Sequence, residues 1–232
     1  MSTSWQIPEV ANDFINDRRG AIPYGADQLH IMLKLIDQFR PSPHYLVDLG
    51  CGDGIAARTV LERHPACRAL LIDSSKPMIE RARTSMASFG EKVQIREADL
   101  NSALWALSIH GSVDLVISAF AIHHLSHSRK KELYGEIHQV LHPGGLFVNI
   151  EHVSSPSLEL EALFDEGFIS EITKRTGRDP EVVRREYHER QDKADNQLLD
   201  LETQLSWLRE IGFHHVDCIF KWLELVVICG VK

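Results

Sequence analysis

Between residues 45 and 152, short apolar segments alternate with segments that repeat apolar residues at helical spacing. The apolar segments are residues 45–49, 68–72, 92–96, 113–118 and 146–150. Their apolar residues run continuously instead of alternating with polar ones, which is typical of parallel strands buried on both faces. Strands separated by helices are joined by right-handed crossovers into a doubly wound sheet. We therefore predict an α/β fold over this part of the chain.

Outside this region the pattern is helical, apart from two final apolar segments. These segments, residues 213–220 and 223–229, are close enough in sequence to pair as an antiparallel hairpin. No low-complexity stretch divides the chain into separate folding units. We therefore predict a single domain at 1–232, with an N-terminal helical cap at 1–43 and a helical insertion at 153–196.

Composition excludes several classes of protein. No apolar stretch approaches the roughly 20 residues that cross a bilayer, and the first residues do not resemble a secretory signal, so no membrane partner is expected. The four cysteines lack metal-ligand spacing, which predicts no metal site and favours a cytoplasmic location. A net charge of −8 argues against nucleic acid as a partner. The sequence leaves a homodimer open.

A glycine-rich loop follows the first predicted strand, at residues 47–54, where the sequence reads V-D-L-G-C-G-D-G. Glycines between a strand and a helix let the backbone turn sharply and approach a ligand closely. Asp73 ends the second strand and Asp99 follows the third, where carboxylates can accept hydrogen bonds from a ribose and from the amine of adenine. Each aspartate alone could be a helix cap or a turn residue. Together with the loop, they predict a ligand that contains adenosine.

The residues around the loop discriminate between adenosine ligands. The dinucleotide fingerprint requires a third glycine at the position of Ile55. Asp48, beside the loop, would repel a pyrophosphate but could accept a hydrogen bond from an ammonium group. S-adenosylmethionine carries an ammonium and a sulfonium and no phosphate, so it fits these residues better than NAD does.

The order of these motifs resembles that of class I S-adenosylmethionine-dependent methyltransferases. The segments that carry the resemblance are residues 47–54, 71–73, 97–100, 113–125 and 141–145. The resemblance implies a Rossmann-like seven-stranded sheet in the order 3-2-1-4-5-7-6, with the last strand antiparallel. It also implies S-adenosyl-L-methionine as the cofactor and S-adenosyl-L-homocysteine as the product.

The resemblance also implies which residues contact each part of the cofactor. The residues expected beside the methionine portion are Asp48, Gly50, Cys51 and Gly52. Those expected around the nucleoside are Asp73 at the ribose, Asp99 at the adenine amine, and Ser74 and Leu100 against the adenine ring. The remaining cofactor residues are Ser118 and Ala119 beside the sulfonium, Met78, and Tyr24 as a lid. Ordinary packing is the alternative interpretation of Tyr24.

His123 and His124 follow the fourth strand, which places them near the expected reaction centre. An imidazole titrates near neutral pH, so either histidine is a candidate general base for methyl transfer. The alternative is that both histidines only shape the cofactor pocket. A metal site that uses these residues and His127 is the weaker interpretation, because no carboxylate or thiolate completes it.

Candidate substrate residues come from the end of the fifth strand and from the insertion. Glu151 could face the acceptor, and Arg184 or Arg185 together with Tyr187 could bind an acidic acceptor. Because acidic residues are interleaved with these arginines, the alternative is a solvated helix with surface ion pairs. The insertion as a whole is expected to form a lid over the acceptor.

We therefore predict an enzyme that moves a methyl group to a small-molecule acceptor by in-line displacement. The chain is also similar to carboxy-S-adenosylmethionine synthases and to related tRNA-modification enzymes. That resemblance implies an arginine in the helix before the final strands, where residues 201–211 offer Trp207 instead and carry Arg209 on another face. A non-catalytic cofactor-binding protein is the alternative of another class.

Overall fold

The structure, a computed structural model, describes residues 4–14, 20, 22–107, 109 and 113–232. The strands are β1 (Tyr45–Leu49), β2 (Arg68–Asp73), β3 (Val93–Glu97), β4 (Val113–Ala119), β5 (Leu141–His152), β6 (His214–Trp222) and β7 (Leu225–Val231). They form a seven-stranded sheet in the order β3-β2-β1-β4-β5-β7-β6. Neighbouring strands from β3 to β5 are parallel, and β7 runs antiparallel to both β5 and β6. The predicted sheet order, antiparallel last strand and closing hairpin are confirmed.

The helices fill the intervals between the strands. They are α1 (Pro8–Asp13), α2 (Gly25–Phe39), α3 (Ile55–Arg63), α4 (Lys76–Ser85), α5 (His127–Val140), α6 (Leu158–Thr176), α7 (Pro180–Glu189) and α8 (Leu201–Ile211). Side-chain caps start several of them: Ser75 Oγ accepts from the backbone of Met78, and Ser126 Oγ accepts from that of Arg129. None of the described helices is long and apolar enough to cross a membrane.

The sheet is buried on both faces, which explains the continuous apolar strands. In β1, Val47 and Leu49 pack into one core with residues of α5 and α8. Leu46, on the opposite face, packs into a second core with residues of α2 and α3. Because successive side chains of a strand point to opposite faces, both sets of positions must be apolar. Asp48 interrupts this pattern, and its side chain is nevertheless only 1% exposed.

β5 begins earlier than the apolar pattern predicts. Strand pairing starts at Leu141, opposite Val113, although residues 141–145 contain a proline and two glycines. The far end of the chain pairs with this segment: Lys232 N donates to Gly145 O at 2.9 Å, and Gly144 N donates to Lys232 O at 2.7 Å. Pairing partners far apart in sequence therefore extend the strand beyond its apolar core.

The order of the strands reverses between β1 and β4, and ligands of open α/β sheets bind at the carboxyl ends of strands near such a point. Helices α6 and α7 form a third apolar cluster at this end of the sheet. Phe164 and Phe168 of α6 and Tyr187 of α7 belong to it, and Phe120, which follows β4, packs against it. The two helices therefore lie beside the carboxyl ends of the central strands.

Candidate active site

A cavity of about 530 Å³ lies at the carboxyl ends of the central strands. Its wall is built by the glycine loop, the end of β2, the segment after β4, the start of α2 and the N-terminal residues. The predicted cofactor residues on this wall are Gly50, Cys51, Gly52, Asp73, Met78 and Ala119. His124, predicted as a general base, also lines it.

The glycine loop is held against the end of β2 by its own amides. Gly50 N and Cys51 N donate to Ile72 O at 2.8 and 3.0 Å, and Gly52 N donates to Asp73 Oδ2 at 2.8 Å. Phosphate sites of glycine-rich loops depend on amides that point at the ligand. Since these three amides already have protein acceptors, the loop is not arranged to bind a pyrophosphate.

Asp73 is the carboxylate on the cavity wall. Its Oδ1 accepts from Ser75 N and its Oδ2 from Gly52 N, both at 2.8 Å. Burial raises the pKa of this carboxyl, and the backbone amides of Ser75 and Gly52 act in the opposite direction. Each ionised carboxylate oxygen has a second lone pair, so Asp73 can still accept from a pair of hydroxyls.

Asp48 lies behind the loop and is absent from the cavity wall. Its Oδ2 accepts from Ala57 N at 3.2 Å, whereas its buried Oδ1 has no hydrogen-bond partner within the described chain. Burial raises its pKa to about 7, and the nearby carboxylates of Asp73 and Asp53 add to this effect. A carboxyl in this setting is stabilised by any cation that approaches it.

These features fit a nucleoside that carries positive charge and no phosphate. The fit rests on the orphaned oxygen of Asp48, on the occupied loop amides and on the space beside Gly52, where an added Cβ would meet no atom within 4 Å. Asp73 supplies acceptors for hydroxyl groups at the same wall.

Several predicted cofactor residues lie away from the wall. Asp99 is exposed and accepts from Asn101, and Leu100 is fully buried in the core. Ser118 Oγ donates to Leu49 O at 2.8 Å, which ties β4 to β1. The carbonyl oxygen of Ser74 accepts from Gln6 Nε2 at 2.6 Å. The structure therefore does not bring these four side chains into the cavity.

Tyr24 is also away from the cavity. Its ring is 52% exposed and packs against Phe220 and Trp222, with ring centroids 6.0 and 5.8 Å apart. The contacts match the packing alternative for this residue and not the lid.

The sequence prediction missed several residues of the wall, among them Trp5, Phe14, Gln28 and Arg175. Gln28 had a visible signal, because it shares the apolar face of its helix with Met32, one turn later. It is 1% exposed, its Nε2 donates to Pro23 O, and its Oε1 has no partner among the described residues. Trp5 carried no comparable signal, since its place depends on contacts with distant segments.

The two candidate bases have different surroundings. His124 Nε2 accepts from the indole N–H of Trp5 at 3.1 Å, so this nitrogen is already engaged. His123 Nδ1 lies 2.6 Å from Glu151 Oε1. Glu151 is fully buried, and burial raises its pKa. Glu151 therefore holds His123 from behind, and the expectation that it faces the acceptor is wrong.

A second compartment of about 60 Å³ adjoins the cavity and shares Trp5, Phe120 and His124 with its wall. Its polar lining residues are His123, His124, His152, Tyr187, Arg190 and Asn196. Tyr187 OH donates to Asp165 Oδ1 at 2.8 Å, and burial raises the pKa of this hydroxyl. The guanidinium carbon of Arg190 lies 4.4 Å from the centre of the Tyr187 ring. Its buried Nε has no hydrogen-bond partner among the described residues.

The predicted substrate arginines are elsewhere. Arg184 forms an ion pair with Glu166, and Arg185 is exposed, so neither lines a compartment. Both side chains lie on the solvent side of α7, in agreement with the interpretation of this helix as solvated and bearing surface ion pairs. Of the predicted set, Tyr187 reaches the site, and Arg190 is the arginine beside it.

The helix before the final strands supplies no arginine to the site either. Arg209 Nη2 donates to Val216 O at 3.2 Å, and Trp207 packs against the core, with Lys131 Nζ 5.6 Å from its ring centre. Neither residue lines the cavity or the second compartment.

Comparison with known proteins shows which proteins this chain resembles. A family model described as "Methyltransferase domain" matches residues 46–145, which contain the glycine loop and Asp73. Carboxy-S-adenosyl-L-methionine synthase of Klebsiella pneumoniae is 27% identical over 98% of this chain and 91% of its own. The corresponding protein of Campylobacter lari is 21% identical over 96% of this chain and 92% of its own.

The chain is thus similar to a methyltransferase domain over residues 46–145 and to carboxy-S-adenosyl-L-methionine synthases over nearly its whole length. Both similarities support S-adenosylmethionine as the cofactor. Solved structures share the fold of this chain. A SAM-dependent methyltransferase from Aquifex aeolicus gives a TM-score of 0.61 at 14% identity, over 97% of this chain and 98% of its own. An O-methyltransferase family protein from Burkholderia thailandensis also gives 0.61, at 16% identity over 94% of this chain, which spans 61% of that protein.

Proposed function

We propose that this protein transfers a methyl group to a small-molecule acceptor held in the second compartment. The observation that supports this is the adjacency of the two spaces: a large cavity with Asp73 on its wall and a small compartment that shares His124 and Trp5 with it. The small volume, about 60 Å³, suits a compact acceptor group. Holding two reactants in the correct geometry accounts for about 7–11 kcal/mol of a barrier.

In this proposal the cofactor site is formed by the wall residues of the larger cavity. Asp73 accepts from the ribose hydroxyls, Asp48 stabilises the ammonium group from behind the loop, and Gly52 leaves room for the methionine portion. The sulfonium of the bound cofactor supplies an electrophilic methyl carbon. Gln28 adds a buried amide oxygen without a partner among the described residues at the same wall.

Two covers would keep water out of the site. The insertion at 153–196 contributes Phe164 and Phe168 to the second compartment, and the N-terminal segment contributes Trp5 and Phe14 to both spaces. We propose the insertion as the lid over the acceptor, as expected from the sequence. A dry site favours a reaction in which positive charge disappears.

Synthesis of carboxy-S-adenosylmethionine is the second candidate. The supporting observation is Arg190, whose buried Nε lacks a hydrogen-bond partner in the described chain and which lines the acceptor side. A guanidinium in this position binds a carboxylate well. The curated relatives carry this activity in their name and match nearly the whole chain.

Three further proposals concern the partners and the location of the protein. The acidic net charge argues against a tRNA substrate, and four free cysteines are compatible with the cytoplasm. A homodimer is equally compatible with the exposed Leu158 and Leu163 of α6.

Calorimetry and product analysis test the proposal. Titration with S-adenosylmethionine is expected to show one site, and Asp73→Ala is expected to weaken binding at least 10-fold while the fold is retained. Asp37→Ala, which removes a partly exposed ion pair between α2 and α3 away from the cavity, is the control. Release of S-adenosylhomocysteine with an acceptor, detected by mass spectrometry, separates methyl transfer from carboxy-S-adenosylmethionine synthesis and from simple binding. Unchanged binding by Asp73→Ala would contradict the proposed site.

A further inference from the structure

A histidine–carboxylate pair lies on the wall of the second compartment. His152 is the last residue of β5, and its Nε2 lies 2.6 Å from Glu224 Oε2. Glu224 is only 3% exposed, and its other oxygen accepts from Ser155 Oγ. Because an ionised carboxylate can only accept, the imidazole donates its proton from Nε2. The lone pair of the neutral ring is therefore on Nδ1.

Nδ1 of His152 has no hydrogen-bond partner in the part of the chain that the structure describes. The ring is held in place by apolar and aromatic contacts: its centre lies 5.0 Å from that of Phe164 and 5.9 Å from that of His123. A fixed ring with one engaged nitrogen and one unengaged nitrogen has the arrangement of a general base and its orienting carboxylate.

The other titratable groups on this wall form hydrogen bonds of their own. Tyr187 OH donates to Asp165, and His124 Nε2 accepts from Trp5. His123 Nδ1 is bound to Glu151. Arg190 is a permanent cation and cannot accept a proton. His152 therefore offers an acceptor nitrogen without a partner in the described chain, which Tyr187, His124 and Arg190 do not.

We propose that His152, oriented by Glu224, is the catalytic proton acceptor, and that the acceptor molecule presents a protic nucleophile, a hydroxyl or an amine. This inference rests on the proposed function, since it names the substrate class of the same site. His152 Nδ1 is the catalytic atom, and Glu224 is a positioning residue that acts through the ring.

The proton and electron changes balance without any further reactant. The bond between the nucleophile and the methyl carbon forms while the carbon–sulfur bond breaks, and the electron pair of that bond remains on sulfur. The proton of the hydroxyl or amine moves to Nδ1 of His152. Glu224 then faces an imidazolium, which its negative charge stabilises. Release of that proton to solvent restores the neutral ring.

Ring nitrogen NMR tests the proton position without an acceptor. The protein is labelled with ¹⁵N at histidine and saturated with S-adenosylmethionine. The His152 signals are assigned by their loss in His152→Asn. At pH 8 they are expected to show Nε2 protonated and Nδ1 unprotonated. Glu224→Gln is expected to raise the share of the Nδ1-protonated form, because a neutral amide favours a proton on Nε2 less than a carboxylate does. A proton on Nδ1 in the unmodified protein would overturn the inference.

A kinetic test uses hydroxybenzoates and aminobenzoates as acceptors, with S-adenosylhomocysteine measured as the product. His152→Asn is expected to lower the rate about 10²- to 10⁴-fold, the range of general base catalysis. Its affinity for S-adenosylmethionine, measured by calorimetry, is expected to stay within about 3-fold. His30→Asn, exposed on α2, is the control. More than a third of the original rate in His152→Asn would overturn the inference.

The two proposals fail in different ways. Absence of S-adenosylmethionine binding by the unmodified protein contradicts the proposed function, whatever the tautomer of His152. Cofactor binding and turnover that persist in His152→Asn contradict the role of His152 as the base and leave the proposed function intact. If no acceptor of either class reacts, the tautomer measurement decides whether His152 can serve as the base.

Discussion

At the scale of single residues, the site contains charged groups in surroundings that disfavour their charge. Asp48 is buried behind the glycine loop with one oxygen unpaired among the described residues, and Lys130 is fully buried among backbone carbonyls. Burying a charge without a partner is costly, so each such group requires an explanation. A cationic ligand best explains the burial of Asp48. The burial of Lys130 is best explained by the backbone carbonyls that its ammonium holds together.

Asp48 is predicted to couple cofactor binding to proton release. Burial raises its pKa from 3.8 to about 7, so at pH 6 most of the carboxyl groups in the ligand-free protein are protonated. A nearby ammonium lowers this pKa, and up to one proton leaves on binding. Calorimetry at pH 6 in buffers of different ionisation enthalpy measures it. The release is expected to vanish in Asp48→Asn and at pH 8.5, and identical release by Asp48→Asn would refute the assignment.

The same carboxyl makes stability depend on pH. Because its pKa is higher in the folded chain, the folded state holds a proton that the unfolded state loses above about pH 4. This group therefore lowers the free energy of unfolding as the pH rises from about 4 to 7, by up to about 4 kcal/mol. Cofactor binding offsets that loss.

Lys130 is predicted to be essential for stability. Its ammonium donates to Leu125 O, to Gln197 O at 2.5 Å and to His123 O at 3.4 Å, and burial lowers its pKa to about 8. Lys130→Met removes the ammonium donor from Leu125 O and Gln197 O, while His123 O keeps the amide of Gln197. The substitution is expected to cost about 2–4 kcal/mol in urea unfolding. The neighbouring Lys131→Met, which removes an exposed ion pair, is expected to cost less than about 1 kcal/mol. Equal costs would contradict this role.

At the scale of elements, the glycine loop shows two different requirements for glycine. Gly50 has a φ of +67°, and an added Cβ would collide with the Cβ of Ala121. Gly52 has a φ of +55° but open space around it. The first glycine is therefore required by packing within the protein, and the second by backbone conformation and by the space that it leaves at the cavity wall.

Substitution separates the two requirements. Gly50→Ala is expected to lower the free energy of unfolding by about 3 kcal/mol or more, and Ala121→Gly in the same chain is expected to recover part of the loss. Gly52→Ala is expected to cost only about 1 kcal/mol, from backbone strain, but to weaken S-adenosylmethionine binding. Urea unfolding and calorimetry measure both effects. No recovery in the double variant would show that the collision is not the cause.

The elements themselves were largely predictable, and the composition of the site was not. Continuous apolar segments located the central strands because both faces of the sheet are buried, and the period of 3.6 residues located α2 and α6. The cavity residues Trp5 and Arg190 were missed, because their positions depend on contacts with segments far away in sequence. Arg184 looked equally suitable in the sequence, but it lies within α7 and pairs with Glu166, whereas Arg190 follows the end of that helix and turns into the second compartment.

At the scale of the whole molecule, ligand preference is predicted to appear in thermal stability. A ligand present at 100 times its dissociation constant stabilises the folded state by about 2.7 kcal/mol. For a chain of 232 residues this corresponds to a rise in Tm of roughly 5–10 °C. S-adenosylmethionine is expected to produce the rise, whereas NAD and ATP are not, because the loop amides are occupied. A larger rise in Tm with NAD, measured by scanning fluorimetry, would contradict the inference that the glycine loop does not bind a pyrophosphate.

The N-terminal segment has a consequence for turnover. Trp5 lines both the cavity and the second compartment. Its carbonyl accepts from Ser75 Oγ, and its indole donates to His124 Nε2. Ser4 Oγ donates to Asp195 in the insertion. We therefore expect residues 4 and 5 to cover both ligands at once, so that detachment of this segment sets the residence time of each. We expect slow exit of the spent nucleoside, strong inhibition by it, and its carry-over through purification.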